Sequence, residues 1–166
     1  QEARTLYEAM RAGTAGSSVL GTFHADSAKA VYQRVVYDMG IQPKSFAATD
    51  IVIVTGLAQP LGGQQMIRKV MQIAEVSKLE GADGVFHDLM LYDPGKDTLS
   101  ETEFFKYKSE RIGTIAKGWS MSMEETIENI QTRAAYRDMM VKYARENNKP
   151  QVLSAEWALR SNTVFR

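Results

Sequence analysis

The chain has no cysteine. That absence excludes disulfides, zinc–thiolate sites, iron–sulfur ligation and thiol catalysis together, and it leaves the redox compartment open. Excess charge is missing too: 20 Lys and Arg stand against 20 Asp and Glu, a formal net charge of +0. A chain so balanced lacks the overall basic field of a dedicated nucleic-acid binder. Histidine is scarce, with His24 and His87 far apart in sequence, so neither has an obvious partner for a metal site. No apolar run approaches the ~18 residues of a membrane-spanning helix. No charged-then-apolar stretch reads as a targeting leader.

What is present is the composition of a folded protein: 166 residues, 44% hydrophobic and 24% charged. This suits one domain, or one domain with a small appendage, able to bury roughly two-thirds of its unfolded surface. The chain opens on Gln1, not Met, which predicts either processing upstream or a longer parent protein.

Hydrophobic spacing organises the chain. Residues 2–12 predict a helix with Leu6, Ala9 and Met10 on one face, stopped by Gly13. Val19-Leu20-Gly21-Thr22-Phe23 predicts a short buried strand ending at His24. Asp26 or Ser27 then caps a helix with Val31, Val35, Val36 and Met39 on its apolar face, closed by Gly40. Pro43 opens a short turn or helix. The near-continuous run Ile51-Val52-Ile53-Val54 predicts a strand covered on both faces, as in a mainly parallel sheet. The alternation of helices and strands thus predicts an α/β architecture.

The segment from Met66 to Lys78 fits a helix or a strand by period; its β-branched residues favour a strand. With a connection at Gly81–Gly84 and a return over Val85–Tyr92, it predicts an antiparallel edge hairpin, followed by the turn Asp93-Pro94-Gly95. Beyond Ser100 the pattern is helical. Ser122 and Glu125 form a capping-box signature opening a helix towards Arg145, with Met123, Ile127, Ile130, Ala134 and Val141 as its buried stripe. The acidic residues near its start and Arg137, Lys142 and Arg145 near its end complement the helix dipole. Lys149-Pro150 breaks the run, and Ser154 caps a last helix.

One motif is a decoy. Gly16-Ser17-Ser18-Val19-Leu20-Gly21 has the opening spacing of a phosphate-binding loop, but Thr22-Phe23 follow where Lys and a hydroxyl residue are required. The cluster His24, Asp26, Ser27 is too compact along the chain for a nucleophilic triad. A histidine at the end of a buried strand is by default structural. Strand C-termini in α/β sheets are, however, where ligands bind, and a neutral imidazole there could donate to a phosphate. His87, in the edge hairpin, reads as structural.

The residues Glu2-Ala3-Arg4-Thr5-Leu6-Tyr7-Glu8-Ala9-Met10, followed by Gly21-Thr22-Phe23-His24-Ala25-Asp26-Ser27, resemble the secretion-superfamily ATPases. These are hexameric motors of type II and type IV secretion, type IV pili and the archaeal flagellum. Arg34-Val35-Val36-Tyr37-Asp38-Met39-Gly40-Ile41 and Ser45-Phe46-Ala47-Ala48-Thr49-Asp50-Ile51-Val52-Ile53-Val54 look most like the archaeal branch. The similarity extends through Gln72-Ile73-Ala74-Glu75-Val76 and more loosely into the C-terminal helices.

The resemblance implies the later strands of a RecA-like P-loop NTPase core over residues 1–100, with the antiparallel edge hairpin, then a helical C-terminal subdomain over 101–166. It implies that His24 lies in a so-called His box beside the terminal phosphate of ATP, with Gly21 and Thr22 next to it. Glu2 would match the acidic residue just after the Walker B strand, and Arg34 an inter-subunit arginine. ATP and Mg²⁺ would serve the parent protein. Identical subunits in a hexameric ring and an inner-membrane platform protein would be the partners, nucleic acid would not, and the location would be cytoplasmic at the membrane surface.

The family's P-loop, aspartate box and Walker B strand have no counterpart in this sequence. Phosphoryl transfer rests on the P-loop Lys and Mg²⁺. This chain alone is therefore expected neither to bind ATP tightly nor to hydrolyse it. Two other readings stand beside the motor fragment: a non-catalytic interaction module that associates with such ATPases, and a secreted protein with a processed Gln terminus.

Overall fold

The computed structural model describes residues 2–12, 18–77 and 86–163. The expected stop at Gly13, the first residues of the decoy loop and the Gly81–Gly84 connection lie outside the described residues. The chain divides into two compact units, Gln1–Arg111 and Ile112–Arg166.

The first unit is a mixed α and β layer structure. Helix α1 (Glu2–Ala12) precedes α2 (Ala28–Gln33), which continues as a π-turn over Arg34–Asp38. Ser27 caps α2 by accepting the Ala30 amide at 3.1 Å, and Gly40 turns the chain at φ +68, a conformation that suits glycine. A short α3 (Pro43–Phe46) leads into the sheet. Strands β1 (Ile51–Ala58), β2 (Ile67–Val76), β3 (Phe86–Asp93) and β4 (Thr98–Glu101) form a meander in the order β1-β2-β3-β4. α4 (Glu103–Tyr107), capped by Thr102, closes the run.

All three ladders are antiparallel, which corrects the expected mainly parallel sheet. The expected antiparallel pair is present as β2 and β3, but it forms the centre of the sheet and not its edge, because β1 pairs with β2 and β4 with β3. β4 is an additional strand that the polar run Thr98–Glu101 did not announce. Two further expectations fail. Val19–Phe23 forms no strand: residues 18–25 have no regular secondary structure. An isolated apolar run has no ladder to satisfy its amides and carbonyls, and only a second strand could supply one. β1 is not covered on both faces either. Val52, Val54 and Ala58 are buried, whereas Ile51, Ile53 and Leu57 are exposed, so the uniformly apolar sequence is split by the pleat.

The core of this unit lies between one face of the sheet and the three N-terminal helices. Tyr7, Tyr32, Val35, Ile41 and Phe46 pack with Val52, Val54, Ala74 and Val76. Tyr32 meets Phe46 edge-on at 5.1 Å between ring centroids, and Phe86 of β3 meets Phe46 edge-on at 6.1 Å. Such pairs add about 1 kcal/mol each beyond the area they bury.

The second unit is helical. α5 (Glu110–Gly118) carries the chain into it, and α6 (Met123–Glu146) and α7 (Ala155–Asn162) follow. The capping box is formed on both sides: Ser122 accepts the Glu125 amide at 3.1 Å, and Glu125 accepts the Ser122 amide at 2.7 Å. α6 stops in a Schellman turn, with Asn148 at φ 49 and the Lys149 amide returning to the Ala144 carbonyl at 2.9 Å. Its expected stripe is only partly covered: Met123, Ile127, Ile130 and Val141 are half-buried and Ala134 is exposed, while Thr126 and Ala144 are the buried residues. No described helix is long and apolar enough to cross a membrane.

Candidate functional site

Phe23 packs its ring partly into the core, and the next residue, His24, emerges exposed. Gly21 lies against α1: a Cβ there would sit 3.0 Å from Leu6 Cδ2. Glycine at this position lets the segment run close to the helix. Thr22 is exposed alongside His24. The carbonyl of His24 accepts a hydrogen bond from Arg34 Nη1.

Past His24 the chain is pinned again. Ser27 Oγ contacts Asp26 Oδ1 at 3.3 Å as well as capping α2. The Ala28 amide donates to Gln72 Oε1 at 3.0 Å, and Gln72 Nε2 donates to Asp88 Oδ1 at 2.6 Å. The start of α2 is thus tied through one amide side chain to β2 and β3. Asp88 is held in turn, since Thr102 Oγ1 donates to its carbonyl.

A second polar cluster sits on the other face of β2. Glu75 has none of its surface exposed. Its Oε2 accepts from Ser109 Oγ at 2.5 Å, and its Oε1 accepts from the amides of Glu110 at 2.9 Å and Arg111 at 3.3 Å. A carboxylate at the first amides of α5 satisfies donors that the helix itself leaves open and interacts favourably with the helix dipole. Arg111 reaches Asp50 Oδ1 at 3.0 Å, next to the start of β1. His87 is the direct register partner of Glu75 and stacks on Phe104 at 4.1 Å between centroids, nearly parallel at 12°. Its place in a packed stack agrees with a structural role.

Of the residues expected at a site, Gly21, Thr22, His24 and Arg34 therefore share one neighbourhood. Glu2 is the first residue of α1. Arg34, expected to face another subunit, engages its own chain. The segment does not fit ATP with Mg²⁺ by itself. It offers one hydroxyl and one imidazole, whereas a triphosphate needs the P-loop Lys, a metal-binding hydroxyl and a run of loop amides. Among the described residues there is also no group of three or more His, Asp or Glu placed to hold a metal.

Sequence spacing did not single out Gln72, Glu75 or Asp88 as a polar framework. The available signal was Glu75 itself, a charged residue in the apolar run Ile73-Ala74-Glu75-Val76. Such a residue is retained in a strand when it has buried partners.

Compared with known proteins, the chain matches no family model and no curated protein.

Proposed function

We propose that this chain is the C-terminal part of a hexameric motor ATPase that powers protein secretion or assembly of a type IV pilus-like or archaeal flagellar filament. On this reading residues 1–100 contribute later strands of a RecA-like core, and the antiparallel sheet is the outlying part of that core. The helical region follows as the C-terminal subdomain, facing neighbouring subunits or an inner-membrane platform. The site that binds ATP and Mg²⁺ is completed by the rest of the parent protein. The location is then cytoplasmic, at the membrane surface.

The observation that carries the reading is the setting of His24. It is exposed, yet anchored on one side by Phe23 and on the other by the capped and pinned start of α2. His87, by contrast, is half-buried and stacked on Phe104. Preorganisation of this kind is what a residue needs to meet developing charge without reorganising. The test is His24→Ala in the parent ATPase. Turnover falls at least tenfold with folding preserved if the imidazole contacts the phosphate, about the effect of losing one positioned donor. Unchanged turnover would leave His24 structural and remove the main support for the reading.

One observation favours the second reading, a non-catalytic module that associates with such ATPases. Among the described residues β1 pairs on one side only, and the sheet face turned away from the core carries exposed Ile51, Ile53 and Leu57 beside that open edge. The edge suits addition of a strand from a partner subunit. A parent that lacks a P-loop would select this reading over the first.

A further inference from the structure

The residue that follows from the geometry of His24 is Arg34. Between Phe23, whose ring is held by the core, and Ser27, which caps α2, only His24, Ala25 and Asp26 bridge two fixed points. Such a bridge still has a freely rotating peptide plane unless something holds a carbonyl or an amide. Arg34 holds one: its Nη1 donates to the His24 carbonyl. The guanidinium is reached from the first residue of the π-turn Arg34–Asp38, at the end of α2. π-turns of this kind are rare and concentrate at functional sites.

We propose that Arg34 is a positioning residue for His24. It fixes the peptide plane after His24, and that plane sets the direction of the Cα–Cβ bond and the side-chain rotamers open to the imidazole. The proposal rests on the reading of His24 as a phosphate-contacting residue. It differs from an inter-subunit role for Arg34, because the guanidinium acts within its own chain through a backbone atom.

The first measurement is made on this chain by NMR relaxation. In the wild type, the backbone order parameters of His24 and Ala25 lie near the rigid value of about 0.85. In Arg34→Ala, and in Arg34→Met, which keeps the stem without the donor, they fall below about 0.6. Tyr32, Val35 and Phe46 stay unchanged as a check on the core, and Arg34→Lys recovers part of the order. Unchanged order at His24 in both donor-free variants overturns the proposal. So does a loss of order spread evenly over the core, which would make Arg34 merely structural.

The second measurement uses the parent ATPase. Arg34→Ala lowers kcat about tenfold, the worth of one charge-assisted hydrogen bond, with KM unchanged. In the His24→Ala background the same change has no further effect, since two residues acting through one imidazole are not additive. Full additivity overturns the proposal. If His24→Ala alone leaves turnover intact, the functional reading fails, while the NMR result still decides whether Arg34 positions the segment.

Discussion

Ser109 Oγ donates to the buried carboxylate of Glu75 at 2.5 Å, so a single side chain on β2 secures the residues that open α5. The same carboxylate takes the amides of Glu110 and Arg111. Three donors converge on one acidic group, so the loss of that group is felt at all three together.

Glu75→Ala therefore destabilises the first unit by about 2–4 kcal/mol, because it removes the buried acceptor shared by a hydroxyl and two amides. Glu75→Gln keeps one carbonyl oxygen as acceptor and costs about half as much. Urea unfolding monitored by circular dichroism measures both. A loss below about 0.5 kcal/mol for the alanine variant, the range of a neutral surface change, would mean that water replaces the carboxylate without penalty.

β1 carries no charge and no proline across Ile51–Ala58, and among the described residues it pairs on one side only. Ile53 is 59% exposed on its open face. Native edges of this length are normally blunted by a charge. Light scattering on the isolated chain is expected to show association that grows with concentration. Ile53→Lys should shift it towards monomer with little change in stability. A wild-type chain that stays monomeric throughout the series would show that the edge is not sticky.

Tyr92 and Asp97 make a pH-dependent staple across the turn between β3 and β4. The phenol donates to Asp97 Oδ1 at 2.8 Å, and Lys69 reaches the same oxygen at 2.8 Å. Partial burial, the hydrogen bond to Asp97 and the nearby Asp97 and Asp93 charges push the Tyr92 phenol up to about 12. The hydrogen bonds from Lys69 and Tyr92 hold the Asp97 carboxyl below its ordinary value. The tyrosine contribution is whole below the ordinary phenol value near 10 and is lost as pH rises towards 12. The aspartate contribution is whole above the ordinary carboxyl value and is lost as pH falls through its lowered one. A difference titration of wild type against Tyr92→Phe at the phenolate absorbance should show this group titrating well above the ordinary phenol value, and Asp97→Asn should bring it down. A Tyr92 titration indistinguishable from free tyrosine would remove the staple.

Local chemistry was legible where one short stretch decides the structure. Ser122 and Glu125 wrote their own capping box, Ser27 and Ser154 their caps, Pro43 the start of α3, and Asp93-Pro94-Gly95 the turn before β4. Each depends on contacts within a few residues, so spacing and residue type suffice. The β-branched residues of Ile67–Val76 likewise identified a strand over a competing helix period.

Pairing and exposure were decided by the tertiary structure alone. Val19–Phe23 and Ile51–Val54 look alike as short apolar runs, yet the first forms no strand and the second becomes an edge. A strand exists only when another chain segment accepts its amides, and nothing in five apolar residues specifies which segment that is. The surroundings of Glu75 depend on Ser109, 34 residues away, and the hold on His24 depends on a side chain ten residues later. The sequence by itself determined the helices, caps and turns, whose partners are near neighbours. The direction of the sheet, the face that stays open and the clamp on His24 were settled by contacts between distant segments, because chain proximity is created only by folding.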